Sequence, residues 1–432
     1  MARMVVIADD LTGAADCAAS SAALGCRATV LLHSPEQPES EAGWPDTDIL
    51  SIDANSRCLP AEQGAQLATR LVYLCASHNA DSEYVLFKKI DSTLRGNVAD
   101  ELAALLHARR SISPANAKCS IVMAPALPAQ GRTTVGGRLF VHGVPLEETD
   151  IWKTESRPAQ SDILQLLATA GLSCGLVDRS TVRSGSARLR HAILQSAKHV
   201  EVVVCDAETD ADLYAIAEAS LGEPTVTALV GSAGLASQIS RAICIPPEVA
   251  CRKWSFGVGS TLFIVGTAAS TSRQQAHVLE SIPEVVTFHI SPPVLLNSRI
   301  KQVEIIQSIQ SGRDVLLMLE GEHCSNYGEQ FLPKAFSDLL SRCSQSLGGL
   351  VATGGETARA ALDALRIHRL RLLGEVEAGV PFSVADCWIR PLPIITKAGA
   401  FGSPESLVRC REFLRGLERV AAPVHNASVG ES

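Results

Sequence analysis

The sequence predicts an α/β protein of two α/β domains, each with a mostly parallel sheet flanked by helices, and an active site in the cleft between them. Three features carry the prediction. Short apolar runs alternate with amphipathic stretches along the chain, as strand–helix–strand units do. Several of these runs stop abruptly at polar or glycine-rich segments, the place where open α/β sheets bind ligands. The length, 432 residues, also exceeds what one hydrophobic core holds together.

Met4 to Ala8 is a continuous apolar run, as a strand buried on both faces requires. An Ala-rich helix to about Leu24 follows, ended by Gly25, and a strand from Arg27 to Leu32 completes one βαβ unit. Further strands are expected at Asp48 to Ile52, Tyr84 to Lys88 and Cys119 to Ala124, with helices near Pro60 to Ala76 and Asn97 to Arg109. Gly131 to Pro145 breaks the rhythm and reads as a loop or hairpin near the sheet's mouth. Alternation then resumes through Asp206 and ends with a strand from Thr225 to Val230. Breakers at Cys244–Glu248 and Phe256–Ser260 place the division there. We expect an N-terminal domain (1–242), a linker (243–260), a C-terminal domain (261–418) and a frayed tail (419–432). The second half opens with a strand from Thr261 to Val265. A helix near Ser272 to Ser281, a strand from Glu284 to His289, a helix from Gln302 to Gln310 and a strand from Asp314 to Leu319 follow.

A net charge of -8 without a basic run argues against nucleic-acid binding. The thirteen cysteines are scattered without a C-x-x-C pair, so they read as small buried hydrophobes of a reducing cytosol rather than a zinc site or disulfide framework. No stretch of 18 apolar residues occurs and the first residues do not form a signal peptide, so a cytoplasmic protein without membrane contact is expected. Homodimerisation is left open.

The polar stops carry the chemistry. Asp9-Asp10-Leu11-Thr12-Gly13 ends the first strand, with Thr12 able to cap the next helix and Gly13 suited to a tight turn. Arg57 follows the strand at Asp48 to Ile52, where its guanidinium can grip a carboxylate. Lys88-Lys89-Ile90-Asp91-Ser92-Thr93-Leu94-Arg95-Gly96-Asn97 is the densest polar segment. Converging on one crevice, these groups suit a polyhydroxylated acid, with Arg and Lys for the carboxylate and Asp and Asn for the hydroxyls. Each residue also has a plainer reading: Asp10, Asp91 or Ser92 as helix caps, Lys88 as a solvated charge. In the second half, Gly266-Thr267-Ala268-Ala269-Ser270, Thr353-Gly354-Gly355-Glu356-Thr357 and Thr396-Lys397-Ala398-Gly399 are strand-to-turn segments whose amides can approach phosphate oxygens. The chain contains no Gly-Lys dipeptide, so this is no P-loop.

Ile7 to Ala14, Lys88 to Asn97, Thr353 to Ala358 and Lys397 to Gly402 resemble, in matching order, the motifs of the four-carbon acid sugar kinase family. The resemblance spans the chain to about Leu417. It implies ATP-dependent phosphorylation of the terminal (4-) hydroxyl of a four-carbon sugar acid such as D-threonate, D-erythronate or 3-oxo-tetronate, in carbohydrate acid catabolism. Carried over by motif, Asp9, Arg57, Lys89, Ile90, Asp91 and Ser92 hold the acid, while Ser270, Gly354, Gly355, Glu356, Thr357 and Gly399 hold ATP. The Gly266–Ser270 segment is a loose match to the family's Gly-Ser-x-Ser pattern, and Ala398 and Ala400 stand where Ser or Gly is commoner. In catalysis we expect Asp10 or Asp91 to accept the hydroxyl proton, Lys89 and Arg95 to compensate charge, and Mg2+ to bridge the phosphates, with no metal ligand assigned. Two rivals stand outside the kinase class: a sugar-acid dehydrogenase or aldolase with Lys89 as Schiff-base residue, and a solute-binding protein, which the missing signal peptide disfavours.

Overall fold

The computed structural model describes residues 3–33, 44–79, 83–152, 158–244, 254–266, 269–320, 331–386 and 388–421. The chain divides into two compact units, Met1–Glu248 and Val249–Ser432. Much of the expected linker, the Thr267-Ala268 pair and the tail from 422 onward lie outside the described residues.

The first unit begins β1 (Met4–Ala8), α1 (Leu11–Ala23), β2 (Ala28–Leu32), β3 (Ile49–Asp53), α2 (Ala61–His78), β4 (Val85–Lys89), α3 (Val98–Ile112) and β5 (Ser120–Ala124). A small antiparallel sheet follows, β6 (Arg132–Val135), β7 (Arg138–Val141) and β8 (Val144–Pro145). The unit closes with α4 (Ile163–Ala168), β9 (Cys174–Val177), α5 (Arg179–Val182), α6 (Ser186–Ala197), β10 (Val202–Cys205), α7 (Asp210–Ser220), β11 (Val226–Gly231) and α8 (Ala233–Ile243). Its large sheet runs β2-β3-β1-β4-β11-β5-β10-β9, and every pairing is parallel. All of β1 is buried, as its unbroken apolar run requires.

From β1 the chain moves to one side, toward β3 and β2, and from β3 it crosses to β4 on the other. That reversal opens a crevice beyond the strands' carboxyl ends. Register sets the crevice walls level, because Ala8 pairs with both Asp53 and Lys89, and Lys89 pairs with Gly231. Apolar side chains of β1, β3, β4, α2 and α3, among them Ile7, Ile52, Leu71 and Leu102, fuse into the core beneath. The β6–β7 hairpin turns at Gly136 and Gly137, both at positive φ. Their amides donate to Asp206, just past β10, at 2.7 and 2.9 Å. The expected hairpin is therefore rooted at the carboxyl end of the sheet.

The second unit comprises β12 (Ser260–Val265), α9 (Ser270–Glu280), β13 (Val285–Ile290), α10 (Pro292–Asn297), α11 (Arg299–Gln310), β14 (Asp314–Leu319) and α12 (Phe331–Cys343). It continues through β15 (Leu347–Thr353), α13 (Gly355–Ala364), β16 (Arg369–Glu377), β17 (Val380–Ala385), β18 (Leu392–Lys397) and α14 (Ser406–Ala421). Its strands run β13-β14-β12-β15-β18-β17-β16. They are parallel as far as β18, after which β17 and β16 join antiparallel. The mostly parallel sheet expected from sequence thus carries an antiparallel hairpin that the αβ rhythm does not announce. Buried Asp314 clamps α14 to the sheet through Arg411 at 2.7 Å and Arg415 at 2.9 Å.

The cysteine expectation needs correction. Cys26 and Cys244 form a disulfide, with Cα atoms 6.3 Å apart. Their sequence separation of 218 hides the pair from any spacing rule. Among the remaining cysteines, Cys58 is exposed and Cys174 half-buried, whereas Cys17, Cys75, Cys119, Cys205, Cys343 and Cys410 are buried as expected. Among the described residues no helix is long and apolar enough to cross a membrane.

Candidate active site

Asp9 and Asp10 leave β1 at the reversal point. Asp10, not Thr12, caps α1: it accepts from the Gly13 amide at 2.9 Å, and Thr12, inside the first turn, donates its hydroxyl to the same carboxylate. The loop after β3 is stitched to Asp9, whose carbonyl accepts the Ser56 and Arg57 amides. That places the Arg57 guanidinium over both carboxylates. Nε donates to Asp9 Oδ2 at 2.7 Å, and Nη1 and Nη2 reach the two oxygens of Asp10 at 2.9 Å. Arg57 therefore grips two of the chain's own carboxylates. Asp9 Oδ1 is buried and, among the described residues, accepts no hydrogen bond.

Lys89 ends β4, buried, and its ammonium donates to the Ile90 carbonyl at 2.9 Å. Gly13 is small for this reason rather than for a turn: a Cβ there would lie 2.7 Å from both Lys89 Nζ and Asp10 Oδ1. Burial pulls the Lys89 ammonium down, but Asp9 and Asp10 overcome it and hold the group above its usual range. Burial raises the Asp10 carboxyl, yet Arg57 and Lys89 more than offset this and keep it below the usual carboxylate range.

Asp91 lies two residues beyond the end of β4. Arg95 grips it through Nε at 3.0 Å and Nη2 at 2.9 Å, Thr93 donates both amide and hydroxyl to Oδ2, and Arg57 Nη2 stands 3.7 Å from Oδ1. Against the cost of burial, Arg95 and Arg57 hold its carboxyl well below the usual range. Neither Asp91 nor Ser92 caps α3, because Asn97 occupies that position. Asn97 Nδ2 instead ties to the Leu59 carbonyl at 2.7 Å. The Ile90 side chain joins the core. Lys88 is no solvated charge: it is fully buried and meets Glu101 at 2.6 Å.

A residue missed from sequence completes this wall. Arg132, first in β6, donates to the Ser92 hydroxyl, and Trp152 Nε1 donates to the Thr93 carbonyl at 2.8 Å. The excursion after β5 thus contacts the 91–95 loop twice. Its glycine-rich start beside the sheet's mouth was the available signal.

In the second unit, Val265 pairs with Thr353 and Thr353 with Lys397, so the glycine turns after β12, β15 and β18 also stand level. Gly354, at φ 90°, precedes α13 without a side-chain cap and donates its amide to the Lys397 carbonyl at 2.8 Å. Gly355 opens that helix. Thr357 is buried and Glu356 exposed. A Cβ on Gly266 would run into the Thr357 side chain, so the β12 and β15 turns pack closely. Ser270 is exposed in the first turn of α9. Gly399 accepts from Ser272 Oγ at 2.7 Å. Among the described residues no three His, Cys, Asp or Glu side chains converge on a metal position.

Comparison with known proteins matches residues 4–239 to a sugar-binding N-terminal domain and residues 262–407 to a nucleotide-binding C-terminal domain. The chain is 37% identical to the D-threonate kinase of Cupriavidus necator, covering 93% of this chain and 96% of the relative. It is 27% identical to the D-erythronate kinase of Heliobacterium modesticaldum, covering 96% and 97% respectively. A solved structure of a Haemophilus influenzae protein shares the fold, with TM-score 0.72 and 20% identity over 95% of this chain and 100% of that one.

Proposed function

This chain belongs to the four-carbon acid sugar kinase family, and we propose that it transfers the γ-phosphoryl group of ATP to the terminal (4-) hydroxyl of a four-carbon sugar acid such as D-threonate, D-erythronate or 3-oxo-tetronate. The observation that carries the reading is the network of Asp9, Asp10, Arg57, Lys89, Asp91 and Arg95 at the level carboxyl ends of β1, β3 and β4. It is charged and lies largely out of water, as suits a site for a small polar anion. We assign the acid to the first unit and the nucleotide to the second.

Asp10 and Asp91 have both carboxylate oxygens engaged and are held strongly ionised, so they act as fixed charges that orient Arg57, Lys89 and Arg95. Asp9 Oδ1, buried and without a hydrogen bond among the described residues, receives the attacking hydroxyl. As the oxygen attacks phosphorus, the bond from the γ-phosphorus to the bridging oxygen breaks, ADP leaves with the electron pair, and the proton passes to Asp9. The transition state is loose, so the protein supplies mainly alignment and charge compensation. Lys89 and Arg95 offset negative charge, and Arg132 faces the acid's carboxylate from the hairpin.

The second unit fits a triphosphate through its uncapped α13 amides and the close glycine turns beside them. Mg2+ carried on the triphosphate would neutralise its charge. Lys89, held as an ammonium between Asp9 and Asp10, is a poor imine-forming nucleophile, which disfavours the aldolase reading.

ADP release, followed by coupled assay with Mg-ATP across D- and L-threonate, D- and L-erythronate and their oxo forms, tests the proposal. Turnover with one acid is expected. Silence across the panel together with absent ATP binding would refute it.

A further inference from the structure

Lys397 ends β18 fully buried, beside the glycine loop that follows. Its ammonium donates to Ser272 Oγ at 3.1 Å, to the Ala398 carbonyl at 3.0 Å and to the Phe401 carbonyl at 2.9 Å. Ser272 in turn donates to the Gly399 carbonyl at 2.7 Å, and Gln275 Nε2 donates to the carbonyls of Phe401 and Ser403 at 3.0 and 2.8 Å. Four carbonyls of one short loop therefore turn inward, onto Lys397 and α9. The described peptides are all trans, and in a trans peptide the N–H points opposite to the preceding C=O. The amides of Gly399, Ala400 and Gly402 consequently face away from the buried lysine, as a row of donors. Glu377 also pins the loop, accepting from the Ser403 amide at 3.2 Å and from the Ser406 hydroxyl.

We propose that Lys397 is a positioning residue for nucleotide binding: it holds the loop carbonyls inward and so presents the loop amides to the phosphates of ATP. The proposal rests on the reading of this unit as nucleotide-binding. The ammonium has three N–H groups and three acceptors, so Lys397 acts through the loop and makes no phosphate contact of its own. Burial pulls this ammonium down to about 8. The charged and titratable groups acting on it are the Glu377 carboxylate and the Cys410 thiol, and burial pushes that thiol up to about 12.

The test is direct titration of the full chain with Mg-ATP, beside steady-state kinetics, for the native sequence and for Lys397→Met and Ser272→Ala. In Lys397→Met the ATP Kd rises by about tenfold or more, the scale of a lost charged hydrogen bond, while the sugar-acid KM stays near native. Ser272→Ala moves in the same direction by a smaller factor, and it decides the matter if Lys397→Met does not fold. ATP affinity of the native chain falls between about pH 7 and about pH 9 as the lysine loses its proton, and this dependence is absent from Lys397→Met. Native ATP affinity in both variants, or an equal loss for ATP and acid, overturns the proposal. Absence of ATP binding to the native chain overturns the nucleotide reading itself, a separate result.

Discussion

Replacing Arg57 with Met removes the cation that faces three carboxylates at once. The Arg57 side chain is 21% exposed, against 6% for Asp9 and 13% for Asp10, so the carboxylates left behind lie largely out of water. Leaving a buried charge uncompensated costs about 3–5 kcal/mol. Lys89 stays beside Asp9 and Asp10, which sets the expectation at the lower end, about 3 kcal/mol. For a unit of this size that corresponds to roughly 6–12 °C in the melting midpoint. The pH dependence provides the sharper check. In the native chain Asp10 and Asp91 lie below their unfolded values, so their contribution is present at neutral pH and disappears as pH falls through the folded values. Without Arg57, burial loses its largest opponent at Asp10, and the carboxyl rises from its native position. The stability lost is then greatest at neutral pH and relieved on acidification. Urea unfolding of native chain and Arg57→Met at about pH 7 and about pH 5, followed through the first unit's transition, measures both effects. A loss under about 1 kcal/mol, or one that grows on acidification, would show that Arg57 does not compensate these buried carboxylates.

Gly13→Ala adds a methyl group 2.7 Å from Lys89 Nζ and Asp10 Oδ1. It should lower kcat/KM for the acid about 100-fold with little change in ATP affinity, and near-native steady-state kinetics would show that the ammonium's position is unimportant. Arg132→Met should raise the acid's KM by roughly 10- to 100-fold at near-native ATP KM, in line with a lost charge-assisted hydrogen bond; an unchanged acid KM would remove Arg132 from the site. Glu101→Ala leaves Lys88 buried and unpaired and should cost about 3–5 kcal/mol in urea unfolding, much of it restored by Lys88→Met with Glu101→Leu. A double variant no more stable than the single one would contradict the unpaired Lys88 charge as the source of the loss.

Strand ends were legible because burial on both faces imposes unbroken apolar runs. Met4–Ala8 and Asp314–Leu319 have the bounds that their composition implies. The crevice at Asp9, Arg57 and Lys89 was legible for the same reason, since each polar stop marks a carboxyl end. Partners were not legible. Arg57 reads as a ligand fork until the fold places Asp9 and Asp10 beneath it. Lys88 and Lys89 are identical in type, but the two-residue alternation of a strand sends one to Glu101 on α3 and the other to the crevice. Arg132 and Lys397 depend on contacts made across 40 and 125 residues, with Ser92 and Ser272, and no local pattern records such contacts. The β16–β17 hairpin was missed because its strands pair antiparallel within a region whose rhythm is otherwise αβ.

The most direct test is the identity of the product. After incubation of the chain with Mg-ATP and the acid that turns over, phosphorus–carbon couplings in the NMR spectrum locate the new ester. One equivalent of ADP per phosphorylated acid is expected, with phosphate on the C4 oxygen. ADP accompanied only by inorganic phosphate, or an ester at another hydroxyl, would contradict the proposed transfer to the 4-hydroxyl.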